Sequence, residues 1–146
     1  MDTAKKAEQL FLDGYNCAQA VFGAFSEQLG VPFDMAMKLS SSFGGGVGRQ
    51  REVCGAVSGM CMAAGVLYGY PTPETGEVKA QHYRLIRELC ERFKEQNRSI
   101  ICRDILKNAE VGGTPEARTN EYYAGRPCLR CVHDAAEILE TYIKEH

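Results

Sequence analysis

Cysteine is the residue type with the most chemical potential in this 146-residue sequence, which contains seven cysteines. They occupy positions 17, 54, 61, 90, 102, 128 and 131. A thiolate is both a nucleophile and a soft metal ligand, so clustered thiols can exchange disulfides or bind zinc and iron–sulfur clusters. Since no two CxxC units lie close together, the spacing of a zinc ribbon or a ferredoxin is excluded. Any shared site must therefore be assembled by the fold.

Four of the cysteines fall where helices are predicted to begin. Cys17 follows the predicted cap Asn16, Cys54 follows a glycine run, Cys102 lies three residues after the predicted cap Ser99, and Cys128 follows Pro127. Free N–H groups and the helix dipole stabilise negative charge at such positions. We therefore expect the pKa of all four thiols to fall from about 8.5 toward the range of about 3.5 to 7.5.

The remaining three cysteines receive different interpretations. Cys61 and Cys90 lie within apolar helical stripes, where burial raises a thiol pKa, and we expect them to be inert. Cys131 completes a CxxC with Cys128, which is typical of a dithiol pair, and it either resolves a disulfide with Cys128 or is incidental. The motif is not a haem attachment site, because Val132 separates Cys131 from His133. No βαβ pattern surrounds it, which disfavours a thioredoxin-like protein.

The glycine run before Cys54 is the second candidate feature. It comprises Gly44, Gly45, Gly46 and Gly48, with Arg49 directly after it. The run lacks the Lys-Ser/Thr pair of a P-loop and the preceding strand of a dinucleotide-binding turn. Its backbone N–H groups are instead predicted to bind a cofactor, a thiolate or a cluster sulfide, with Arg49 and Arg51 adding positive charge beside Cys54. The alternative is a flexible connection between helices with solvated arginines.

Apolar spacing close to 3.6 residues throughout predicts an all-α, single-domain bundle of about six to seven helices over residues 1–146. The predicted helices span residues 3–13, 17–29, 32–42, 53–70, 77–96 and 127–144, with a short helix after Ser99. Residues 108–125 are predicted to form a long loop, whose aromatic end, Tyr122 and Tyr123, closes over something.

A glycine-rich helix is predicted at the centre of this bundle. Gly55, Gly59 and Ala63 recur at four-residue spacing, which lets a second helix approach the backbone closely. That second helix can belong to this chain or to another copy, so a homodimer is one prediction.

Composition limits the classes of partner and compartment. The formal net charge of -2 gives no basic field for nucleic acid. Residues 53–70 contain four glycines and have no anchoring charges at their C-terminal side, so they are not apolar enough for a membrane span. No secretory signal is visible, which predicts the cytoplasm without membrane insertion. The three histidines share no spacing typical of a zinc hydrolase.

The segment Cys54-Gly55-Ala56-Val57-Ser58-Gly59 has the form CGAxxG, and the residues 16–21, 43–49, 99–103 and 134–139 extend the likeness over essentially the whole chain. On these residues the sequence resembles the C_GCAxxG_C_C family. The resemblance implies redox activity and four functional cysteines, which carry over as Cys17, Cys54, Cys102 and Cys128. It implies no substrate.

Three functions remain open from the sequence. The four cysteines bind an iron–sulfur cluster, or zinc, and serve electron transfer. Alternatively, they are redox thiols that exchange disulfides without any cofactor, Cys54 or Cys128 being the attacking thiol. The third alternative is a non-enzymatic binding domain with buried cysteines. The sequence identifies no redox partner and does not decide whether the protein is an enzyme.

Overall fold

The computed structural model describes residues 2–73, 76–107, 110–124 and 126–146. The described residues form eight helices: α1 (Thr3–Leu12), α2 (Cys17–Leu29), α3 (Phe33–Ser40), α4 (Gly55–Tyr68), α5 (Glu77–Asn97), α6 (Cys102–Ile105), α7 (Asn120–Ala124) and α8 (Cys128–Glu145). A 3-10 turn, Ser41–Phe43, follows α3. Across the described ranges the only β pairing is an isolated antiparallel bridge between Val53 and Ile101. The all-α prediction is therefore confirmed.

Local signals set the start and the end of α2. The Asn16 side chain accepts a hydrogen bond from the Gln19 amide, and the Gln19 side chain accepts one from the Asn16 amide. This capping box satisfies two N–H groups that would otherwise lack partners. Gly30 ends the helix in a left-handed conformation with φ of 72°. Cys17 is consequently held as the first residue of a well-defined helix.

The central position of α4 follows from its glycines. A Cβ at Gly59 would lie 2.7 Å from the Ala18 carbonyl oxygen and 3.1 Å from the Val21 Cβ, so α2 fills the groove along this face. The glycine face that suggested a homodimer is thus covered by α2 of the same chain. The homodimer stays a prediction, but this face no longer supports it. Buried side chains from the long helices, including Phe22, Met60 and Leu139, form one hydrophobic cluster around this contact.

Two local predictions near the chain's second half are wrong. Ile101, not Ser99, is the residue that caps α6; the Ser99 hydroxyl accepts from the Ile101 amide and donates to Asp104. The predicted loop 108–125 contains a helical turn, α7, and residues 108, 109 and 125 lie outside the described part of the chain. No helix among the described residues has the length and apolar character needed to cross a bilayer.

Candidate functional site

Five thiols line one cavity of about 320 Å³. They come from the starts of four helices: Cys17 opens α2, Cys54 precedes α4, Cys102 opens α6, and Cys128 and Cys131 lie in the first turn of α8. The wall also includes Gly44, Gly45, Gly46, Gly48, Arg49, Arg51, Arg118, Tyr122 and Arg126. We call this space the thiol cavity. Each residue that the sequence singled out for the site lies on its wall.

Backbone pairing joins Cys54 to Cys102. The Cys54 amide donates to the Ile100 carbonyl at 2.7 Å, and the Cys102 amide donates to the Glu52 carbonyl at 2.6 Å. These bonds flank the antiparallel bridge between residues 53 and 101. Two cysteines that are 48 positions apart are thereby fixed side by side at the starts of α4 and α6.

Close packing brings Cys17 to the same place. A Cβ at Gly55, the residue after Cys54, would lie 3.1 Å from both the Cys17 Cβ and the Ala18 amide nitrogen. Such contacts are tighter than packed side chains normally make. The glycine of the CGAxxG segment therefore allows the start of α2 to pack against the start of α4.

The glycine run forms a left-handed turn, residues 44–49, which we call the glycine turn. Gly45, Gly46, Val47, Gly48 and Arg49 have φ values of 64°, 72°, 65°, 59° and 65°. A left-handed conformation costs a residue with a Cβ about 1–2 kcal/mol, so Val47 and Arg49 carry strain. A Cβ at Gly46 would lie 2.8 Å from the Cys102 Cβ. The turn is thus packed directly against a cavity cysteine, and it is not a loose connection between helices.

Cys17 and Cys128 form the first thiol pair. A hydrogen bond between them raises the pKa of Cys17 well above its usual value, and burial raises it further. The same bond lowers the pKa of Cys128, as do the positive charges of Arg126, Arg118 and Arg51. Cys128 is therefore the more acidic thiol of this pair and Cys17 the less acidic one.

Cys54 and Cys131 form the second pair. The Cys131 thiol lowers the pKa of Cys54 by hydrogen bonding, and the backbone N–H groups of Ala56 and Val57 lower it further. The pKa of Cys131 is raised by the same pairing and by burial. The sequence left open whether Cys131 pairs with Cys128 or is incidental; in the structure it is paired with Cys54, on a different helix start.

Asn97 holds Cys131 in place from the other side. The Asn97 Oδ1 atom accepts from the Cys131 thiol at 3.6 Å and from Arg130 Nε at 3.1 Å, and its amide nitrogen donates to Asp134 at 3.1 Å. Because a thiol has one proton, Cys131 donates either to Asn97 or to Cys54 at any moment. Asn97 therefore gives the Cys131 thiol an alternative hydrogen-bond acceptor when the Cys54 sulfur is bound to another group.

Cys102 is the fifth thiol, and its partner is an arginine. The buried Arg51 side chain, 3% exposed, places Nη1 3.8 Å from the Cys102 sulfur, while its Nε donates to the Glu110 carbonyl at 2.9 Å. Burial raises the pKa of Cys102, and the Arg51 hydrogen bond opposes that rise. The Arg51 guanidinium thus contacts the sulfur of Cys102. The sequence had placed its positive charge beside Cys54. The uniform lowering of pKa at four helix starts is also wrong, since burial and pairing outweigh the backbone field at Cys17 and Cys102.

A polar segment from the predicted loop closes the cavity on one side. Arg49 donates to the Thr114 carbonyl and pairs with Glu116 at 3.3 Å, and Arg126 pairs with the other oxygen of Glu116. The Gly112 amide also donates to the Arg49 carbonyl at 2.8 Å. Residues 110–118 are therefore bound to the glycine turn, and we call them the strap.

Arg118 anchors the end of the strap on α1. It donates to the carbonyls of Phe11 and Tyr15 at 3.2 and 3.0 Å, and its guanidinium lies 5.0 Å from the Tyr122 ring centre. Tyr122 lines the cavity, as the prediction of an aromatic closure requires, whereas Tyr123 packs edge-on against Phe11. Arg118 and Arg126 were missed from the sequence because neither belongs to a recognisable motif.

The sequence around this cavity matches a known protein family. A sequence profile of the family described as "Putative redox-active protein (C_GCAxxG_C_C)" matches residues 15–142. The chain belongs to this family. The matched range includes all five thiols of the cavity and the whole glycine turn. The resemblance noted from the motifs is thereby confirmed.

Relatives of this C_GCAxxG_C_C chain add little chemistry. An "Uncharacterized protein" of Archaeoglobus fulgidus is 26% identical over 159 residues, which cover 99% of this chain and 98% of that protein. The match shows that a chain of similar extent occurs in an archaeon. No solved structure matches the chain.

The thiols that line the C_GCAxxG_C_C cavity are chemically suited to bind an iron–sulfur cluster. Thiolates are the usual ligands of such clusters, and four come from four different helix starts. In the described part of the chain, no three Cys, His, Asp or Glu side chains converge closely enough to hold a single metal ion. A cluster distributes its ligands over several iron atoms, so its thiolates surround a volume and need not meet at a point. The role of the cysteines as ligands, and that of the glycines and Arg49 in binding a cofactor, stay predictions.

Cys61 and Cys90 lie outside the thiol cavity. Both are half-buried, Cys61 on α4 and Cys90 on α5. The pKa of Cys61 is raised, as expected, but that of Cys90 is lowered to about 7, chiefly by the Cys61 hydrogen bond. The expected rise in pKa is therefore wrong for Cys90, and the inertness of the two residues stays a prediction.

Proposed function

We propose that the protein transfers electrons through an iron–sulfur cluster held in the thiol cavity by Cys17, Cys54, Cys102 and Cys128. The observation that carries this proposal is the convergence of these four thiols, distant in sequence, on one cavity of about 320 Å³. When bound, such a cluster accepts and releases single electrons at a potential set by its protein surroundings. The remaining parts of the proposal concern what the chain itself contributes.

Positive charge around the cavity offsets the charge of thiolate ligands. The pKa of Cys128 is lowered by Arg126, Arg118 and Arg51, which means that all three favour negative charge at that sulfur. Arg51 has in addition a direct contact with the Cys102 sulfur. A set of four thiolates is costly to bury without such cations.

The strap keeps water from the thiols. Arg49, Glu116 and Arg126 join residues on both sides of the cavity mouth, and Tyr122 adds an aromatic wall. Restricted solvent access is one of the means by which a protein sets the potential of a bound redox centre. We therefore assign the strap to insulation of the centre.

A second candidate, disulfide exchange without a cofactor, is favoured by the two thiol pairs. In this case the Cys54 thiolate attacks one sulfur of an external disulfide, forms a mixed disulfide and releases the other sulfur as a thiolate. Cys131 then loses its proton to water and attacks the Cys54 sulfur, which releases the remaining substrate thiolate. The products are a Cys54–Cys131 disulfide and the second reduced thiol of the substrate.

Metal and sulfide analysis separates the two candidates. Protein purified without oxygen is expected to contain iron and acid-labile sulfide, and replacement of Cys17, Cys54, Cys102 or Cys128 by serine is expected to remove most of both. Cys131→Ser is expected to retain them, because Cys131 is the one cavity thiol outside the proposed ligand set. Cys61→Ser is the matched control, since it removes a thiol of α4 outside the cavity.

The opposite results favour disulfide exchange. Colourless protein without iron, whose cavity thiols oxidise in pairs with a disulfide reagent, would contradict the cluster proposal. In that case Cys131→Ser is expected to abolish the Cys54–Cys131 disulfide and to leave a mixed disulfide on Cys54.

We place this function in the cytoplasm with a separate redox protein as partner. A reducing compartment maintains thiols in the reduced state that both candidate functions require. The sequence features that argued against nucleic acid support a protein or small-molecule electron partner.

A further inference from the structure

The wall of the thiol cavity carries more positive than negative side chains. Among its described lining residues there are four arginines, at positions 49, 51, 118 and 126, but a single carboxylate, Glu116. Arg51 contacts the Cys102 sulfur, and Arg118 donates to two uncharged backbone carbonyls. Buried cations are costly unless anions balance them. Arg49 and Arg126, the two arginines that pair with Glu116, are therefore candidates to bind an anion.

Arg49 and Arg126 hold the Glu116 carboxylate between them. Arg49 Nη2 lies 3.3 Å from Oε1, and Arg126 Nη2 pairs with Oε2, so each guanidinium takes one oxygen. The arginine side chains are only 11% and 17% exposed, whereas that of Glu116 is 41% exposed. The cations are thus built into the wall, and the carboxylate is the member of the group that solvent reaches.

Other contacts hold the two guanidinium groups in place. Arg49 also donates to the Thr114 carbonyl, and the Arg126 guanidinium lies 4.7 Å from the Tyr122 ring centre. The Nε atom of Arg49 is buried and makes no hydrogen bond to any described residue. A buried donor without an acceptor is destabilising, so an additional oxygen at this position would be favoured. Glu116 alone therefore does not satisfy the site.

A route from solvent leads to the same two arginines. A second, more open space of about 410 Å³, which we call the outer groove, is lined by Glu116, Ala117, Thr119, Glu121, Tyr122 and Arg126. Glu116, Tyr122 and Arg126 line both this groove and the thiol cavity, so they form the wall between them. Movement of the Glu116 side chain would join the two spaces.

We propose that Arg49 and Arg126 form a binding site for a small carboxylate ligand, which Glu116 occupies in the ligand-free protein. The ligand enters through the outer groove, displaces Glu116 and takes over its two contacts. The class of ligand follows from the group now bound, because guanidinium groups match the two oxygens of a planar carboxylate. Arg49 Nε supplies one further donor. The site goes beyond electron transfer and depends on the arginines, whichever group the cavity holds.

Acetate is the probe, since it has the carboxylate of Glu116 without the chain. Thermal unfolding of protein purified without oxygen is followed while acetate replaces chloride at constant ionic strength. A ligand that binds the folded state raises the Tm, so wild type is expected to gain stability. Glu116→Ala is expected to show the same gain at about one-tenth of the acetate concentration, because no internal carboxylate competes for the site.

Two further variants separate this site from general salt effects. Glu121→Ala is the matched control, because Glu121 lines the outer groove but makes no ion pair within the described ranges; its acetate response is expected to equal that of wild type. Adding Arg126→Met to Glu116→Ala is expected to abolish the gain.

Iron is measured in every sample, and samples with and without it are expected to respond alike, so failure of the cluster proposal would be visible separately. Absence of a gain in folded wild type, or a Glu116→Ala response no stronger than that of Glu121→Ala, would overturn the inference.

Discussion

Gly46 provides the sharpest test of how the glycine turn positions a cavity thiol. In Gly46→Ala the added Cβ would lie 2.6 Å from the Glu52 amide nitrogen, 2.8 Å from the Arg51 Cα and 2.8 Å from the Cys102 Cβ. Two of these atoms belong to the backbone, which cannot move aside as a flexible side chain would. The substitution should therefore displace the segment that carries Cys102.

Gly48→Ala is the matched control for this substitution. Gly48 has a similar left-handed φ of 59°, but a Cβ there would meet no atom within 4 Å. Both variants incur the left-handed cost of about 1–2 kcal/mol. Only Gly46→Ala adds the cost of overpacking, typically about 1–3 kcal/mol. The structure thus predicts that the two variants differ by the overpacking cost alone.

Urea unfolding of the reduced variants measures this difference. We expect Gly46→Ala to be less stable than Gly48→Ala by about 1–3 kcal/mol at an unchanged m-value. This corresponds to a lower Tm, by about 2–4 °C for each kcal/mol in a chain of roughly this size. Cys102 should also react faster with iodoacetamide in Gly46→Ala. Equal stability of the two variants, with equal Cys102 reactivity, would refute the contact between the turn and Cys102.

Three other experiments test the helix contact and the charges around the thiols. Gly59→Ala, which would meet the Ala18 carbonyl at 2.7 Å, is expected to be less stable than Gly65→Ala, which meets nothing, by about 1–3 kcal/mol in urea unfolding; equal stability would contradict the close packing of α2. Arg51→Met is expected to raise the pH midpoint of Cys102 alkylation by about one to two pH units, because hydrogen bonds to charged groups contribute about 1.5–3 kcal/mol; an unchanged midpoint would remove Arg51 from the account. In metal-free protein at neutral pH, Cys54 should be alkylated before Cys17, whose pKa is raised while that of Cys54 is lowered; the reverse order, read by peptide mapping, would contradict the thiol pairing.

Local signals in the sequence were sufficient for the helices that carry the cysteines. Asn16 and Gln19 form the capping box of α2 from residues three positions apart, and Gly30 ends that helix within its own backbone. The start of α8 at Cys128 and the glycine groove of α4 were also predictable, because each depends on neighbouring residues. These features involve short-range hydrogen bonds and helical periodicity, which a single sequence records.

The electrostatics of the thiols depend on contacts that the sequence does not record. Cys54 pairs with Cys131, 77 positions away, and Arg51 turns toward Cys102 instead of the nearer Cys54. The second outcome follows from the backbone bridge between residues 53 and 101, a long-range pairing that brings Cys102 beside Arg51. The helix-start argument considered each thiol alone, whereas the pKa of a buried thiol is set mainly by its partner and by burial.

The strap shows a second limit of sequence reasoning. Its length and its aromatic end indicated a functional segment, but its binding to the glycine turn depends on Glu116 bridging Arg49 and Arg126. Single charged residues in a loop give no pattern that distinguishes such a bridge from solvated side chains. Arg118, which anchors the strap on α1, was undetectable for the same reason.

The location of iron in the protein tests the central claim most directly. A crystal grown without oxygen from iron-containing protein, measured at the iron absorption edge, gives a map of the iron positions alone. The account predicts anomalous density inside the thiol cavity, enclosed by Cys17, Cys54, Cys102 and Cys128. Iron bound elsewhere, or a cavity without iron in protein whose four thiols are intact, would contradict it.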